Sequence, residues 1–585
     1  MAPPSPPSPA RPLRGRFPPE STPADHRRLT GSAPPLLASK TGSGGRMITM
    51  DPEILQLQYM ALRTFLKVLK KQVLINFQSF NTPALNYLCT LSLLADEALL
   101  DILSYIHSLV PLRDAARAAC VSHRFRSSWR CFPNLTFNLE TLGLNKHQHR
   151  EDEGRAKNVV ESALGLNKHQ HREDEGRAKN VVDRVNHILQ NHSGVGVRTL
   201  ELNLRACRDV ITADYVESWL KLAVKPGIME LGVYLPSDLA YNFSCSLFSD
   251  EATSSLESLF LLCCDFHPTS GTGCWRSLTS VCLSSVRITE EGLGCFLAST
   301  FALEKLSLSG CNEMVILKIP SLLQHLSFLE VSHCRMVQII ESDAPKLSTF
   351  SYVGRPIKIS FGDSSVVKNM YVSSSSDSGI VQFARTRLPS IASNLQTLTL
   401  STYREAFSTP MVPDKFPHLK NLDIYLTGRD NFRGYDFFSL VSFLEASPAL
   451  EYFNLFAGEH GNLRRDSILG DSSREMRRVP GFHHDSLKRL CITGFCSAKS
   501  MVELICQVLE NTPSLQVLVL DTTLGFDSVF VPPGKCHIMG KEALDEANRA
   551  VEAFRMHVEG KVPSSVGFMV WEPCKRCNTP KFIHT

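Results

Sequence analysis

A pair of cysteines near the end of the chain has a spacing that occurs in metal sites. Cys574 and Cys577 are separated by two residues, as in zinc knuckles. A structural zinc site needs four ligands. No second cysteine pair lies nearby in the sequence, and His584 alone does not complete the set. We therefore expect a turn with two free thiols at this position and no metal site.

Two histidine pairs, His147-x-His149 and His169-x-His171, also offer potential metal ligands. Each pair is followed by Arg-Glu-Asp-Glu, so it lies in a strongly charged segment. Such segments usually form solvated surfaces. We expect no metal and no cofactor here either.

The sequence carries no recognisable catalytic motif. It lacks G-x-S-x-G, P-loop, G-x-G-x-x-G and H-E-x-x-H motifs in a supporting context. None of its 18 cysteines stands out as a nucleophile, and several lie inside apolar runs. These features indicate that the protein is not an enzyme and that its thiols are reduced and buried, as in intracellular proteins.

Composition limits which classes of partner the protein is expected to bind and where in the cell it is expected to be. The net charge of +4 over 585 residues is too small for a protein whose main role is to grip nucleic acid. The sequence contains no run of about 18 uncharged apolar residues, so we expect no membrane-spanning helix. We expect a protein of the nucleus, the cytoplasm or both that binds neither nucleic acid nor membrane.

The pattern apolar-x-x-apolar-x-apolar recurs thirteen times from residue 197 onward, at intervals of 20 to 37 residues. The copies are Val197/Leu200/Leu202, Ile228/Leu231/Val233, Leu256/Leu259/Leu261, Leu278/Val281/Leu283, Leu303/Leu306/Leu308, Leu326/Leu329/Val331, Leu347/Phe350/Tyr352, Val367/Met370/Val372, Leu395/Leu398/Leu400, Leu419/Leu422/Ile424, Leu450/Phe453/Leu455, Leu487/Leu490/Ile492 and Leu515/Leu518/Leu520. Such repetition is typical of a leucine-rich-repeat solenoid. We expect a curved array over 197–525, with short parallel strands on its concave face.

The largest insertion between two strand patterns is the segment 457–486, which is rich in basic residues. Its arginines are Arg464, Arg465, Arg474, Arg477 and Arg478. Long loops within compact arrays are often functional, and guanidinium groups suit carboxylate and phosphate partners. These arginines are therefore predicted to bind an acidic substrate segment; a disordered insertion is the alternative.

The chain before the repeats divides into four parts. Residues 1–46 are rich in Pro, Ser, Arg and Gly, which predicts a disordered tail. Residues 47–93 form an apolar and basic leader of unassigned structure. Residues 94–138 read as a compact all-α unit of three helices, in which Asp114 and Ser122 cap the second and third. A charged segment and a linker helix fill 139–196.

The charged segment contains an identical tandem duplication with a period of 22 residues. Leu142–Val160 is repeated letter for letter as Leu164–Val182. Only the second copy continues into an amphipathic helix, whose apolar residues are Val181, Val182, Val185, Ile188 and Leu189. We expect the first copy to be dispensable. Beyond the repeats, residues 526–585 are predicted to form a helix at 541–558 and a terminal strand that caps the array.

Residues 94–130 resemble an F-box. The run Leu109-x-Pro-Leu-Arg-Asp-Ala-Ala-Arg117, followed by Val121-Ser122 and Trp129, is similar to the plant F-box/FBD/LRR-like family. Further similarity lies at 133–137, 185–196, 487–518 and 562–577, with an FBD-like end to the repeats at 480–520. The family implies an α/β protein with a small all-α F-box followed by a leucine-rich-repeat solenoid.

The resemblance also implies a function and a docking face. The F-box would bind the Skp-type adaptor of an SCF-type cullin ubiquitin ligase, while the repeats hold the substrate protein. The docking face carried over by matching positions is Leu99, Ile102, Leu103, Ile106, Leu109, Pro111, Leu112, Ala116 and Val121. One departure matters: the family opens its F-box with Leu-Pro, whereas this chain has Leu94-Ala95. The alternative is a leucine-rich-repeat scaffold with a degenerate F-box.

Overall fold

The computed structural model describes Leu112, Ala116, Arg126 and the ranges 129–144, 168–193, 197–208, 210–268, 275–362, 366–374, 379–403, 405, 408–427, 435–458, 466–470, 475–523 and 539–578. Side chains of the first helix are described from residue 180 onward. The predicted tail at 1–46, the leader at 47–93 and most of the F-box-like segment lie outside these residues. Leu112, Ala116 and Arg126 each have a helical backbone.

Twenty short strands are present in the described chain. They are β1 Asn134–Phe137, β2 Thr199–Asn203, β3 Glu230–Tyr234, β4 Asn242–Phe243, β5 Ser258–Leu262, β6 Asp265–Phe266, β7 Ser280–Ser284, β8 Lys305–Ser309, β9 Ile316–Ile319, β10 Phe328–Ser332, β11 Ile339–Ser342, β12 Thr349–Val353, β13 Lys358–Phe361, β14 Asn369–Ser374, β15 Thr397–Thr402, β16 Asn421–Leu426, β17 Tyr452–Ala457, β18 Arg489–Thr493, β19 Val517–Asp521 and β20 Gly567–Trp571. Fifteen of them form one sheet in the order β1-β2-β3-β5-β7-β8-β10-β12-β14-β15-β16-β17-β18-β19-β20. Because this spatial order follows the chain and each pairing is parallel, the sheet is the strand face of a solenoid.

All thirteen predicted strand patterns are confirmed, each by one strand from β2 to β19. The sheet extends beyond them at both ends. The predicted terminal strand is β20, which pairs in parallel with β19. At the other end, Asn134–Phe137 form β1 and pair with β2, so these residues belong to the sheet and not to the three-helix unit predicted to end at 138. The sequence signal was present, because Phe132, Leu135 and Phe137 have the same spacing as the other patterns.

The inward side chains of each strand pattern form a continuous core. In β8, Leu306 and Leu308 have no exposed surface, and neither has Leu303, which precedes the strand. The corresponding residues of the neighbouring strands are stacked on them, because Leu306 is aligned with Val281 on one side and Leu329 on the other. Each repeat therefore completes the core of the repeat beside it.

Cysteines occupy the core position three residues after the strand pattern in two successive repeats. Cys311 is fully buried, and its Sγ lies 3.5 Å from the carbonyl oxygen of Leu283. Cys334 is also buried, with its Sγ 3.5 Å from the carbonyl oxygen of Ser332. These thiols fill the Asn/Cys position of the repeat, as the sequence predicts. None of the cysteines within the described ranges forms a disulfide.

Helices connect most of the longer repeats. They are α1 Lys168–Asn191, α2 Ala213–Ala223, α3 Asp250–Ser255, α4 Glu290–Leu297, α5 Ile380–Ile391, α6 Val441–Ala446, α7 Lys499–Asn511 and α8 Lys541–His557, with 3₁₀ turns at Cys245–Leu247, Phe437–Leu440, Ile468–Gly470 and Glu559–Lys561. Two begin with a hydroxyl cap: Ser249 accepts from the N–H of Ala252, and Thr289 from that of Gly292. The helices predicted in the second duplicated copy and at 541–558 are confirmed as α1 and α8.

The shortest repeats use strands in place of helices. The patterns at Leu303, Leu326, Leu347 and Val367 follow one another at 23, 21 and 20 residues. Their connections contain β9, β11 and β13, which form a second parallel sheet. An extended residue advances the chain by about 3.3 Å and a helical residue by about 1.5 Å. A short connection therefore spans the repeat only when it is extended.

The insertion between β17 and β18 is packed along much of its described length. Phe482 and His484 are buried, and the N–H of Val479 donates to Oε1 of Gln507 in α7. The Arg477 guanidinium donates two hydrogen bonds to the carboxylate of Asp436 and one, of 2.7 Å, to that of Glu503, which also accepts from the backbone N–H of Arg477. Its guanidinium also lies 4.8 Å from the ring centre of Phe438. Arg477 therefore holds this insertion against the helical side of the array.

The Arg477 contacts predict a large loss of stability in Arg477→Ala. The side chain of Glu503 has no exposed surface, so removing the arginine leaves a buried carboxylate without its charged partner, at a cost of about 3 kcal/mol. Arg478→Ala is the matched control, because the exposed Arg478 pairs with Glu510 at the surface and such pairs contribute about 1 kcal/mol or less. Chemical unfolding midpoints measure both; equal midpoints would show that the Arg477 pair does not hold the insertion.

The stacked core predicts that Leu306→Asp/Leu308→Asp unfolds the neighbouring repeats. Each change removes a buried side chain, which costs about 2–5 kcal/mol for Leu→Ala, and adds a charge that has no partner. Lys305→Asp is the control, since Lys305 lies on the exposed side of the same strand. Thermal unfolding followed by circular dichroism should show a large loss only in the double variant. An unchanged midpoint in that variant would contradict the stacked core.

Among the helices that the structure describes, none has the length and apolar character required to cross a bilayer.

Candidate binding surface on the outward face of the sheet

The residue between the two inward side chains of each strand points to the outward face of the sheet. Parallel pairing aligns these residues into one row across all fifteen strands. The central row is Thr136, Glu201, Gly232, Phe260, Cys282, Ser307, Glu330, Ser351, Tyr371, Thr399, Asp423, Asn454, Cys491, Val519 and Met569. All except Gly232 are partly or fully exposed, so this row is available to a partner.

Aromatic side chains concentrate on strands β14, β16 and β17 and at the residue that follows β15. We call the aromatic patch the set Tyr371, Tyr403, Tyr425, Tyr452 and Phe456. Tyr425 is 40% exposed and Tyr452 is 41% exposed, although both lie on strands of the sheet. The ring centres of Tyr425 and Phe456 are 5.9 Å apart. The Tyr425 and Phe456 rings are therefore neighbours, and Tyr452 adds an exposed ring on the same strand as Phe456.

A glycine leaves room for the Phe456 ring. A Cβ atom at Gly458 would lie 2.7 Å from Cε1 of Phe456, so a side chain there would require the ring to shift. The glycine lets the ring lie directly over the backbone beyond the end of β17. The patch is thus shaped by the backbone as well as by its own side chains.

A single carboxylate lies among these rings. Oδ1 of Asp423 accepts a 2.7 Å hydrogen bond from the amide of Asn454, and Oδ2 lies 3.5 Å from the Thr399 hydroxyl. Burial raises the pKa of the Tyr425 phenol, and the charges of Asp423 and Tyr371 raise it further. Asp423 has no ion pair within the described part of the chain. Its negative charge is therefore oriented by neutral neighbours and is not neutralised by them.

This combination of groups suits the recognition of a protein segment. Tyrosines provide large contact areas with few rotatable bonds, and they are enriched among the residues that dominate binding energy. A cation beside the rings would gain from the ring faces and from the Asp423 carboxylate. The aromatic patch can therefore bind an exposed apolar segment that carries a Lys or Arg side chain.

The residues predicted to dock an adaptor are described only in part. Leu99, Ile102, Leu103, Ile106, Leu109, Pro111 and Val121 lie outside the described residues. Leu112 is 4% exposed and belongs to the core cluster, whereas Ala116 is half-buried. Leu112 thus packs within the chain, and the docking role of the set stays a prediction.

The predicted arginine site is likewise only partly described. Arg464, Arg465 and Arg474 lie outside the described residues, while Arg477 and Arg478 are paired with carboxylates of the chain itself. Cys574 and Cys577 lie at a turn in which the N–H of Asn578 donates to the carbonyl of Cys574. The described residues contain no group of three or more metal-ligating side chains.

The aromatic patch was not among the sites predicted from the sequence. A signal for it exists, because each residue of the central row stands between the last two apolar positions of its strand pattern. In four successive patterns this position is occupied by Tyr371, Thr399, Asp423 and Asn454. The rings of Tyr425, Tyr452 and Phe456 lie at the flanking outward positions.

Similar solved structures include two proteins from Listeria monocytogenes, and the similarity is remote. An internalin, inlF, from Listeria monocytogenes has 12% sequence identity and a TM-score of 0.28; the match covers 67% of this chain and 88% of that one. The functional domain of InlJ from Listeria monocytogenes, which includes a cysteine ladder, has 11% sequence identity and a TM-score of 0.20. That match covers 56% of this chain and 63% of the InlJ domain. No curated protein sequence matches significantly.

A family model matches more than half of the chain. The model of the At1g61320/AtMIF1 leucine-rich-repeat domain matches residues 188–575. This range includes every strand from β2 to β20 and does not include 94–130. Repeat domains of this kind present extended surfaces that bind proteins. The chain belongs to the At1g61320/AtMIF1 leucine-rich-repeat domain family, and its repeat array is a protein-interaction domain.

Proposed function

We propose that the chain recruits a protein substrate to an SCF-type cullin ubiquitin ligase and has no catalytic activity of its own. The repeats would hold the substrate, and the F-box-like segment at 94–130 would dock the Skp-type adaptor. The aromatic patch on the outward face of the sheet carries the substrate-binding half of this proposal. The F-box resemblance supports the ligase half.

The substrate would lie across strands β14 to β17. At this part of the sheet, Tyr425 and Tyr452 place exposed rings on adjacent aligned strands. Asp423, held by Asn454, adds a fixed negative charge beside them. A partner that buries these groups gains contact area without ordering long flexible side chains. The patch is therefore the expected centre of the interface.

We expect Tyr425→Ala/Tyr452→Ala to weaken substrate capture by at least about thirtyfold, since a central aromatic residue commonly contributes 2 kcal/mol or more. Proximity labelling with the full chain as bait, followed by quantitative mass spectrometry, would identify partners. Binding of each purified partner would then be measured by interferometry.

The control for this experiment is Tyr215→Ala/Phe301→Ala. These two residues are also exposed aromatics, but they lie on helix α2 and in the turn before β8, away from the outward face. The control should retain every partner that the wild-type chain binds. If the two double variants bind the partners equally well, the outward face is not the substrate site.

The ligase half of the proposal depends on the segment before β1. That segment joins the array directly, because Phe132 is buried and β1 begins at Asn134. Trp129 belongs to the F-box resemblance, and its ring centre lies 5.4 Å from that of Phe132. A docked adaptor would thus be connected to the repeats through packed side chains and a short chain segment.

The alternative is a repeat scaffold that binds a partner without the ligase. Two observations favour it: Ala95 replaces the proline with which the family opens its F-box, and the side chain of Leu112 is buried within the chain. Both observations reduce the groups available to an adaptor. The distinction therefore depends on direct measurement of adaptor binding.

We expect Leu109→Ala/Pro111→Ala to abolish co-purification with the Skp-type adaptor, because interface energy concentrates in a few central residues. Ala95→Pro should strengthen docking by restoring the missing proline at the first helix. Tyr425→Ala/Tyr452→Ala is the matched control and should dock normally. Absence of docking by both the wild-type chain and Ala95→Pro would leave the scaffold as the function.

A further inference from the structure

An open groove of about 740 Å³ lies where the first strands of the sheet end. Its volume is within the range of about 300–1,000 Å³ that is common for ligand sites. Its polar lining comes from the last residue of β2 and from the turns that follow β1, β2, β3 and β7. The polar lining groups include Asn138, Glu140, Asn203, Arg205, Arg208, Ser237 and Ser285.

The turn after β2 directs two arginines outward. Leu204 and Cys207 are buried, and the N–H of Leu204 donates to the carbonyl of Tyr234. These contacts fix the turn, while the side chains of Arg205 and Arg208 are exposed at the groove. Both guanidinium groups are therefore held on one short, well-packed segment.

The neighbouring turn, which follows β1, is fixed by the side chain of one of its own residues, Asn138. Oδ1 of Asn138 accepts from the N–H groups of Glu140 and Thr141 at 2.9 and 2.8 Å. Arg184 of helix α1 donates to the carbonyl of Leu142 in the same turn. The carboxylate of Glu140 is the acidic group in the lining. The groove thus has preformed walls with two positive charges and one negative charge.

The backbone at the base of the groove is turned sharply after two strands. Cys263 and Ser285 have φ angles of 57° and 51°, in the left-handed region that non-glycine residues seldom adopt. Burial raises the pKa of the Cys263 thiol, and the positive charge of Arg205 opposes that shift. The charge of Arg205 therefore acts at the base of the groove.

Several other arginines of the array are neutralised by a carboxylate, whereas Arg205 and Arg208 are not. Arg287, Arg477 and Arg555 each pair with a carboxylate of the chain. Within the described ranges, neither Arg205 nor Arg208 forms an ion pair or a side-chain hydrogen bond. Two unneutralised guanidiniums at one groove leave fork-shaped donors available to carboxylate oxygens.

We propose that this groove binds an extended acidic segment of a protein partner, with Arg205 and Arg208 pairing to its carboxylates. Asn203, Ser237 and Ser285 supply uncharged hydrogen-bonding groups along the segment. The site is separate from the aromatic patch, which is built on strands β14 to β17. The proposal rests on the protein-binding half of the proposed function and does not require adaptor docking.

A short fluorescein-labelled peptide of alternating Glu and Gly is a direct probe, and the matching Gln and Gly peptide is its uncharged counterpart. Fluorescence anisotropy with the full chain should show binding of the acidic peptide only. Arg205→Gln/Arg208→Gln should weaken that binding at least about tenfold, which is the scale for losing charge-assisted hydrogen bonds.

A matched control removes the same charge elsewhere. Arg335→Gln/Arg355→Gln changes two exposed arginines that follow β10 and β12, outside the groove lining. This control should bind the acidic peptide as the wild-type chain does. Glu140→Gln should tighten binding about twofold to fivefold, because it removes the acidic group from the lining. Thermal unfolding midpoints should be unchanged in all of these variants.

Three results would overturn the proposal. The first is that the wild-type chain does not bind the acidic peptide. The second is that Arg205→Gln/Arg208→Gln and Arg335→Gln/Arg355→Gln weaken peptide binding equally. The third is that inorganic phosphate, at a concentration equal to that of the peptide's glutamyl groups, displaces the peptide completely. The last result would indicate a site for a small anion and not for a peptide. Because no substrate or adaptor enters this measurement, its failure would not affect the tests of the aromatic patch or the F-box.

Discussion

A single repeat of this chain cannot bury its own apolar side chains, and the rest of the structure depends on that constraint. Leu306 and Leu308 are covered only because Val281 and Leu329 and their strand neighbours lie beside them in register. The register in turn fixes which residues face outward and where the strands end. A parallel sheet brings all carboxyl ends to one edge, so the turns after β1, β2, β3 and β7 meet there. The outward row and the groove are both consequences of core stacking.

Residues outside the stacked core can vary in type without changing the fold. The residues that determine the fold and the residues that can bind a partner are therefore different sets. The core positions of different repeats are occupied by Leu, Val, Ile, Phe or Met. The outward residues Tyr371, Asp423 and Asn454 contribute little to that core, so their chemistry can serve a partner. The same division explains why the family match establishes a repeat domain and leaves substrate identity to experiment.

The strands could be predicted from the sequence because their inward residues recur with fixed spacing. β1 was missed although Phe132, Leu135 and Phe137 have that spacing, since its neighbour β2 lies more than sixty residues further along the chain. The second sheet of β9, β11 and β13 has no comparable repeat, but its connections are too short for helices.

The functional groups were harder to predict, because they depend on contacts between distant residues. Arg477 was predicted to bind a partner from its basic neighbourhood, but the fold places it against Asp436 and Glu503. The groove needs Asn138 and Arg205 side by side, and only the pairing of β1 with β2 brings them together. The residues around Arg477 and those of the groove can be found in the sequence, but which of them lie together depends on how the distant segments pack.

The connection from β1 to β2 has a consequence for how this gene can change. The two identical copies, Leu142–Val160 and Leu164–Val182, repeat with a period of 22 residues and both fall within that connection, between Phe137 and Thr199. Parallel strands need only that the connecting chain returns to the same edge, and the entropy cost of lengthening a loop rises slowly with its length. A whole block can therefore be gained or lost here without shifting any strand pairing. The connection is the place where length polymorphism among alleles of this gene would leave the encoded array intact.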